Sequence, residues 1–455
     1  MDSILHTVSE GKTLNMTSSR RIGLLFLLLC SGLSIVWGTA AQRGAPGGIL
    51  DFQAVYYGTR CLLHHCDPYN ESQLQRLFLA EDRDLPSGPN KYMQVVTLDV
   101  NLPTTSLIVA PLAMLPWKTA HLAWMILTGC TLIFAALLMW DVGTDFSPAL
   151  PSLLIGFLLA NLEHLFVGGN AAGIVVGSGI IAAWCFLKDR YAAAGVLCLA
   201  VSLAIKPHDA GFVWLYFLLA GGTYRRRALQ TLAVTVVIGA ATLLWVSHVA
   251  PHWLPELRSN LATTSAHGAL NDQGPDSMTG RTPGMVVDLQ GVVSIFRDDP
   301  RFYNPVSYLV CGSLLLLWAV KTLKLRASAE NAWLALAAMV PLTMLVTYHR
   351  PNDAKLLLLT VPACAMLWAR GGRSGRLAAL VTTAGILFTA DIPLSILVIL
   401  ANALHVTATG FTGTILTVAL TRPASVALLI MTIFYLWVYV RDAPDRIGLT
   451  KRATQ

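Results

Sequence analysis

Residues 191–221, YAAAGVLCLAVSLAIKPHDAGFVWLYFLLAG, decide the fold. The run is apolar for fifteen residues, breaks on Lys206-Pro207-His208-Asp209, and is apolar again to its end. Proline cannot donate the helix hydrogen bond and disfavours helix in the residue before it. The spacing therefore predicts two helices, 191–205 and 208–221, meeting at a charged break. A soluble core seldom holds so much apolar chain beside a lysine. A membrane does, with the polar groups at a boundary.

The rest of the chain agrees. Of 455 residues, 55% are hydrophobic and only 13% charged, and the mean hydropathy is +0.60. A soluble protein is about 25% charged. This excludes a cytosolic enzyme, a disordered chain and a disulfide-rich secreted scaffold. A crossing helix needs about 20 apolar residues. Ten further segments qualify: 22–40, 119–140, 148–166, 170–187, 228–249, 304–325, 332–348, 353–369, 377–400 and 422–440. The expectation is an all-α polytopic membrane protein of about twelve transmembrane helices, read as one integral domain over 1–455. Residues 104–116 (TTSLIVAPLAMLP) are too few and carry two prolines, which suits a re-entrant or interfacial segment. The first run also fits a signal peptide, with Arg20-Arg21 before it and small residues near Ala40; it is read as a span.

Loop charge sets the expected orientation. With both termini cytoplasmic, the inner segments hold Lys12, Arg20, Arg21, Lys188, Arg190, Arg225, Arg226, Arg227, Lys321, Lys324, Arg326, Arg370, Arg373, Arg376, Arg441, Arg446, Lys451 and Arg452, eighteen of the 32 basic residues. The net charge of +7 thus reads as membrane topology, and no nucleic-acid partner is expected. Two long polar stretches, 41–103 and 250–303, then fall outside as the active-site face. Cys61 and Cys66 lie in the first, beside His64 and His65. A disulfide in an oxidising compartment or, less simply, a zinc site fits them.

Polar residues gather at the outer ends of the spans: Asp51, Glu163, His164, Asn170, Lys206, His208, Asp209, His349, Arg350, Asn352, Asp353 and Lys355. Polar groups are costly at membrane depth, so such a gathering marks a functional face. Each has a plainer reading. Asp51 precedes an apolar-periodic stretch and suits a helix N-cap. Lys206 suits a snorkelling lysine, or an ammonium holding a phosphate as a point charge. Asn352 or Asp353 suits a cap for the next span, whereas His349 and Arg350 need no such job; Arg suits bidentate phosphate binding. No phosphate-binding loop, dinucleotide fingerprint or hydrolase motif is present.

Taken in order, these pieces resemble a family. An acidic residue follows the first span (DFQAVYYGTRCLLHHCDPYN, 51–70). A Pro-rich apolar hairpin comes next (NLPTTSLIVAPLAMLP, 101–116). There follow a Gly-Gly-Asn corner (VGGNAAGIVVG, 167–177), a Lys-Pro corner (194–211) and a polar corner (TYHRPNDAKLLLLTVPA, 347–363). Over roughly 45–370 the chain resembles glycosyltransferase family 87 of the C-type (GT-C) integral membrane transferases, which includes polyprenyl-phosphate-mannose-dependent α-1,2-mannosyltransferases. The resemblance implies a GT-C bundle in the plasma membrane with its site on the periplasmic face of the cell envelope. It implies a sugar, mannose by analogy, moved from polyprenyl phosphate to a glycolipid or glycan hydroxyl, without cofactor or metal. Asp51 would be the general base and His349 would lie at the reacting centre. Lys206 and Arg350 would face the donor phosphate, with Asn170, Tyr56 and Asp353 binding substrate. The sequence departs from the family at His64-His65-Cys66 before Asp67-Pro68-Tyr69. A lipid-linked sugar transporter or flippase is the alternative, although no internal repeat is visible.

Overall fold

The computed structural model describes residues 2–44, 49–81, 95–277, 279–282, 284–325, 328–404 and 410–442. These residues form helices and loops with no β-strand among them. Seven helical stretches are long and apolar enough to cross a membrane: Ser18–Arg43, Trp117–Thr144, Ala149–Gly168, Gly222–Val249, Pro300–Lys324, Ala329–Val346 and Pro423–Arg441. An eighth results if Gly372–Phe388 and Asp391–Leu400, bent by 69° at their junction, count as one. The chain is a polytopic membrane protein.

The expected count of twelve exceeds this, for a reason in the chain itself. Segments 170–187, 191–205 and 208–221 form α1 (Ala172–Leu187), α2 (Ala192–Ile205) and α3 (Pro207–Ala220), of 16, 14 and 14 residues. At about 1.5 Å per residue, 14 residues reach about 21 Å, short of the roughly 30 Å hydrocarbon layer. Segment 353–369 is likewise divided: a 3₁₀ helix, Asp353–Thr360, leads into α4 (Val361–Arg370), with Pro362 in its first turn. The Pro-rich segment 104–116 forms an 11-residue helix, Pro103–Ala113, also too short to cross. Arg326, Arg446, Lys451 and Arg452, counted towards the inner loops, lie outside the described residues.

Helix α5 (Ala329–Val346) is the axis of the bundle. Of its apolar stretch 78% is buried, against 11% for Gly222–Val249, whose apolar face is left to lipid. Helix α5 packs on Pro423–Asp442, on the 3₁₀ helix and on α3. The short helices pack against the long ones, and their broken ends meet.

The two long polar stretches, 41–103 and 250–303, also meet where they are described. Asn260 donates to the carbonyls of Tyr69 and Asp99, both at 3.0 Å, and Asn70 donates to Glu256 at 3.0 Å. Cys61 and Cys66 form a disulfide in the first stretch. The second is pinned from below by Arg422, fully buried, whose guanidinium donates to the carbonyls of Gly280 (2.8 Å) and Gly291 (3.2 Å).

Candidate active site

Four broken helix ends converge on one polar group. The first is helix α6 (Leu50–Leu63), which carries Asp51 in its first turn. The residue flanking its start is Ile49, in a left-handed conformation and with no side-chain cap. The capping reading of Asp51 is therefore wrong. Its carboxylate turns away from its own helix, and Oδ2 accepts from the Asn170 side-chain amide at 2.6 Å. Helix α6 is held there by Phe52, fully buried and stacked on Trp124 with ring centres 4.6 Å apart. Burying such a side chain contributes about 1.5–3 kcal/mol.

The Gly168-Gly169-Asn170 corner makes this approach sterically feasible. Gly169 ends a helical turn at φ +64°, a conformation glycine adopts without strain. A Cβ there would stand 2.9 Å from Ile49, and one at Gly168 would stand 3.2 Å from the Asp51 carboxylate. Asn170 is fixed from both sides. Its Oδ1 accepts from the Lys206 ammonium (3.0 Å) and the backbone of Ala172 (2.8 Å), which leaves its NH₂ for Asp51. One amide thus links a carboxylate to an ammonium.

Lys206 stands at the α2–α3 break, where Pro207 opens the new helix. Its Nζ donates to Asp353 at 2.8 Å and lies 3.9 Å from Asp209, one helical turn on. Burial works to lower the Lys206 pKa, but the Asp353 and Asp209 carboxylates outweigh it and the net direction is up. The ammonium stays charged, with carboxylates of two elements around it.

The corner between α5 and the 3₁₀ helix supplies the rest. Asp353 also accepts from the backbone of Arg350 at 3.1 Å. The Arg350 guanidinium donates to the Tyr348 hydroxyl and lies over its ring, 5.4 Å from the centre. Burial opposes its charge, but Tyr348 and Asp51 hold it upward. His349 is fully buried; its Nδ1 lies 2.7 Å from the Thr347 carbonyl, and its Nε2 lies 3.0 Å from Asp209. Burial favours the neutral ring, yet Asp209 more than offsets this and raises its pKa.

The structure thus brings together Asp51, Asn170, Lys206, His349, Arg350 and Asp353. It does not bring Tyr56 to them. That side chain is buried between Phe52, Tyr57 and Trp117, and its hydroxyl donates to the Leu115 carbonyl at 2.8 Å. Sequence reasoning gave no role to Asp209 or His208. Asp209 is buried between Lys206 and His349, and the His208 ring packs edge-on against His349, 5.0 Å between centres. The signal for Asp209 was its position three residues after Lys206, on the same helix face.

Beside this group runs an apolar groove of about 490 Å³ along α3 and the end of α5. Leu203, Pro207, Phe212, Trp214 and Val346 line it, and His208 stands where it meets the polar group.

These features describe an all-helical membrane protein with a polar centre where helix breaks meet. Residues 101–295 match the model of glycosyltransferase family 87. The matched stretch is under half of the chain, shorter than the 45–370 over which motifs were read. It holds Asn170, Lys206 and Asp209, and stops between Asp51 and the 349–353 corner. No curated protein and no solved structure matches the chain.

Proposed function

We propose that the protein is a membrane glycosyltransferase that moves a sugar, mannose by its family resemblance, from polyprenyl phosphate to a hydroxyl of a glycolipid or glycan. The observation that carries this reading is the Asp51–Asn170–Lys206 line, an acceptor-side carboxylate and a donor-side ammonium joined through one amide. The family match over 101–295 and the apolar groove beside Lys206 support it. The groove suits an isoprenoid chain whose phosphate stops at the polar centre.

In this reading the sugar–phosphate bond breaks and the lipid phosphate leaves, gaining negative charge. Lys206 and Arg350 are aimed at that charge, which lowers the barrier. Asp51 takes the acceptor hydroxyl proton as the hydroxyl oxygen bonds to the anomeric carbon. One in-line displacement inverts that carbon, so a β-linked donor gives an α-linked product. Asn170 orients Asp51, and Asp353 and Asp209 hold Lys206 in place. His349 braces Asp209 from behind.

The Cys61–Cys66 disulfide supports placing the outer loops in an oxidising compartment. Hence the reading sets the site on the periplasmic side of the plasma membrane, with both termini cytoplasmic.

The test uses purified protein reconstituted in sealed lipid vesicles, radiolabelled polyprenyl-phosphate-mannose and a mixed lipid acceptor extract. Label transferred by wild type and lost in Asp51→Asn is the expected result. Label that crosses the bilayer still joined to its polyprenyl phosphate would replace this reading with the lipid-linked sugar transporter.

A further inference from the structure

We propose that His208, Asp209 and His349 form a three-ligand site for a divalent transition-metal ion, zinc by its ligand chemistry. The site stands beside the polar centre, and the proposal does not depend on the transferase reading.

His349 is held in one tautomer. Its Nδ1 lies 2.7 Å from the Thr347 carbonyl, which can only accept, so Nδ1 carries the ring hydrogen. That leaves Nε2 directed at Asp209 Oδ1, 3.0 Å away. A neutral ring would face its lone pair against a carboxylate, which is repulsive. A cation belongs between them, either a proton on Nε2 or a metal ion.

Three observations favour the metal. First, neither Nε2 nor either Asp209 oxygen has a partner at hydrogen-bond geometry, although His349 is 0% and Asp209 1% exposed. A proton bridging the pair would satisfy that geometry; an ion at the centre of converging lone pairs does not require it. Second, a third ligand converges. His208 Nε2 lies 3.9 Å from the same Asp209 oxygen, and the three ligand atoms all fall within 4.8 Å of one another. Zinc bonds of about 2.0–2.1 Å place tetrahedral ligands about 3.3 Å apart. Only the His208 ring, 40% exposed, must swing inward to close the site. Third, the Thr347 carbonyl is the partner that ligating histidines use. A backbone acceptor on the far nitrogen fixes tautomer and ring orientation.

Charge points the same way. Asp51, Asp209 and Asp353 bring three negative charges to the cluster, and Lys206 and Arg350 bring two positive ones. A bound divalent ion turns this deficit into a surplus suited to an anionic ligand. Two imidazoles and one carboxylate select zinc over magnesium or calcium, and three protein ligands leave a fourth position open.

The experiment uses full-length protein in nanodiscs, without a polyhistidine tag and stripped with chelator. Co²⁺ alone is titrated in and the visible d–d bands of low-symmetry Co²⁺ are read; bound Zn²⁺ is counted separately by mass spectrometry. One equivalent per chain is expected. His208→Ala should weaken binding by at least about 100-fold, since a direct ligand matters no less than the second-shell groups that tune it. That variant removes a half-exposed ring and leaves no buried void. His252→Ala, an exposed histidine on another element, should change nothing. No metal above background in wild type, or equal binding in His208→Ala, would overturn the site and leave a protonated His349 paired with Asp209. Both readouts are taken without donor or acceptor, so their failure says nothing against transfer.

Discussion

Two lysines, Lys206 and Lys355, sit in clusters of nearly the same composition. Each has an aspartate, a histidine and an asparagine close by. Lys206 meets Asp353, Asp209 and the Asn170 side chain. Lys355 donates to the main-chain carbonyl of Asn161 at 2.7 Å and lies 3.9 Å from Asp391, which in turn lies 3.3 Å from His164. The difference is in what the groups still face. Lys355 and Asp391 are 2% and 1% exposed, and the Asn161 side chain is spent on the backbone of Ile392 (2.9 Å). Lys206 is 19% exposed, and the two residues after it, Pro207 and His208, line an apolar groove. The same residue types make a closed clamp in one place and a partly open cluster in the other. Composition does not separate them, but access does.

The largest loss of activity is expected at Asp51. Loss of a general base removes about 10²–10⁴-fold of rate. Asp51→Asn should therefore abolish label transfer while the unfolding midpoint in detergent stays put. Near-wild-type turnover would remove Asp51 from the chemistry. At the clamp the effects should exchange. Breaking one partner of a buried ion pair costs about 3–5 kcal/mol, so Asp391→Ala should lower the unfolding midpoint sharply, and the protein that stays folded should turn over normally. Lys206→Ala sharpens the contrast. It should raise the donor KM more than it lowers the midpoint, whereas Lys355→Ala should do the reverse. Equal midpoint losses for the two lysines would mean that both are structural.

The site was legible in the sequence because polar residues stand out at the ends of apolar runs. Asp51, Asn170, Lys206 and the 349–353 corner could each be found that way. Tyr56 was misplaced because an amphipathic helix does not reveal which aromatics turn inwards; the stacking of Phe52 on Trp117 and Trp124 decides that. Asp209 was hidden by its neighbour, since a lysine at a break draws the eye from the acid one turn later. The expected twelve spans outnumber the seven or eight helical stretches of crossing length. Hydropathy reads composition, and α1, α2 and α3 are as apolar as a span but only 16, 14 and 14 residues long. The Lys355–Asp391 clamp was invisible because its two halves are 36 positions apart and meet only through the bend after Phe388.

The most gradual effect is expected where the two long polar stretches meet, at Asp99. Its side chain is 2% exposed, and Oδ1 accepts from both the backbone and the side-chain amide of Asn101, each at 2.8 Å. Burial outweighs those two bonds and pushes the pKa up to about 7. The neighbouring titratable group is Tyr69, which stays neutral and donates to the Asn101 carbonyl at 2.9 Å. The unfolded value of a carboxyl is about 3.9. Between there and about 7 the folded protein holds one proton more than the unfolded chain, so this group's contribution to stability is present at low pH and is lost as pH rises through about 7. The slope is at most about 1.4 kcal/mol per pH unit. Asp99→Asn keeps the acceptor for Asn101 and cannot ionise. It should match wild type near pH 3, below the unfolded value, and pull ahead of it progressively between about pH 4 and 7, read as unfolding midpoints at several pH values. Parallel curves for the two proteins would mean that Asp99 is ionised throughout, and that the joint between the two outer loops carries a buried charge as the Lys206 cluster does.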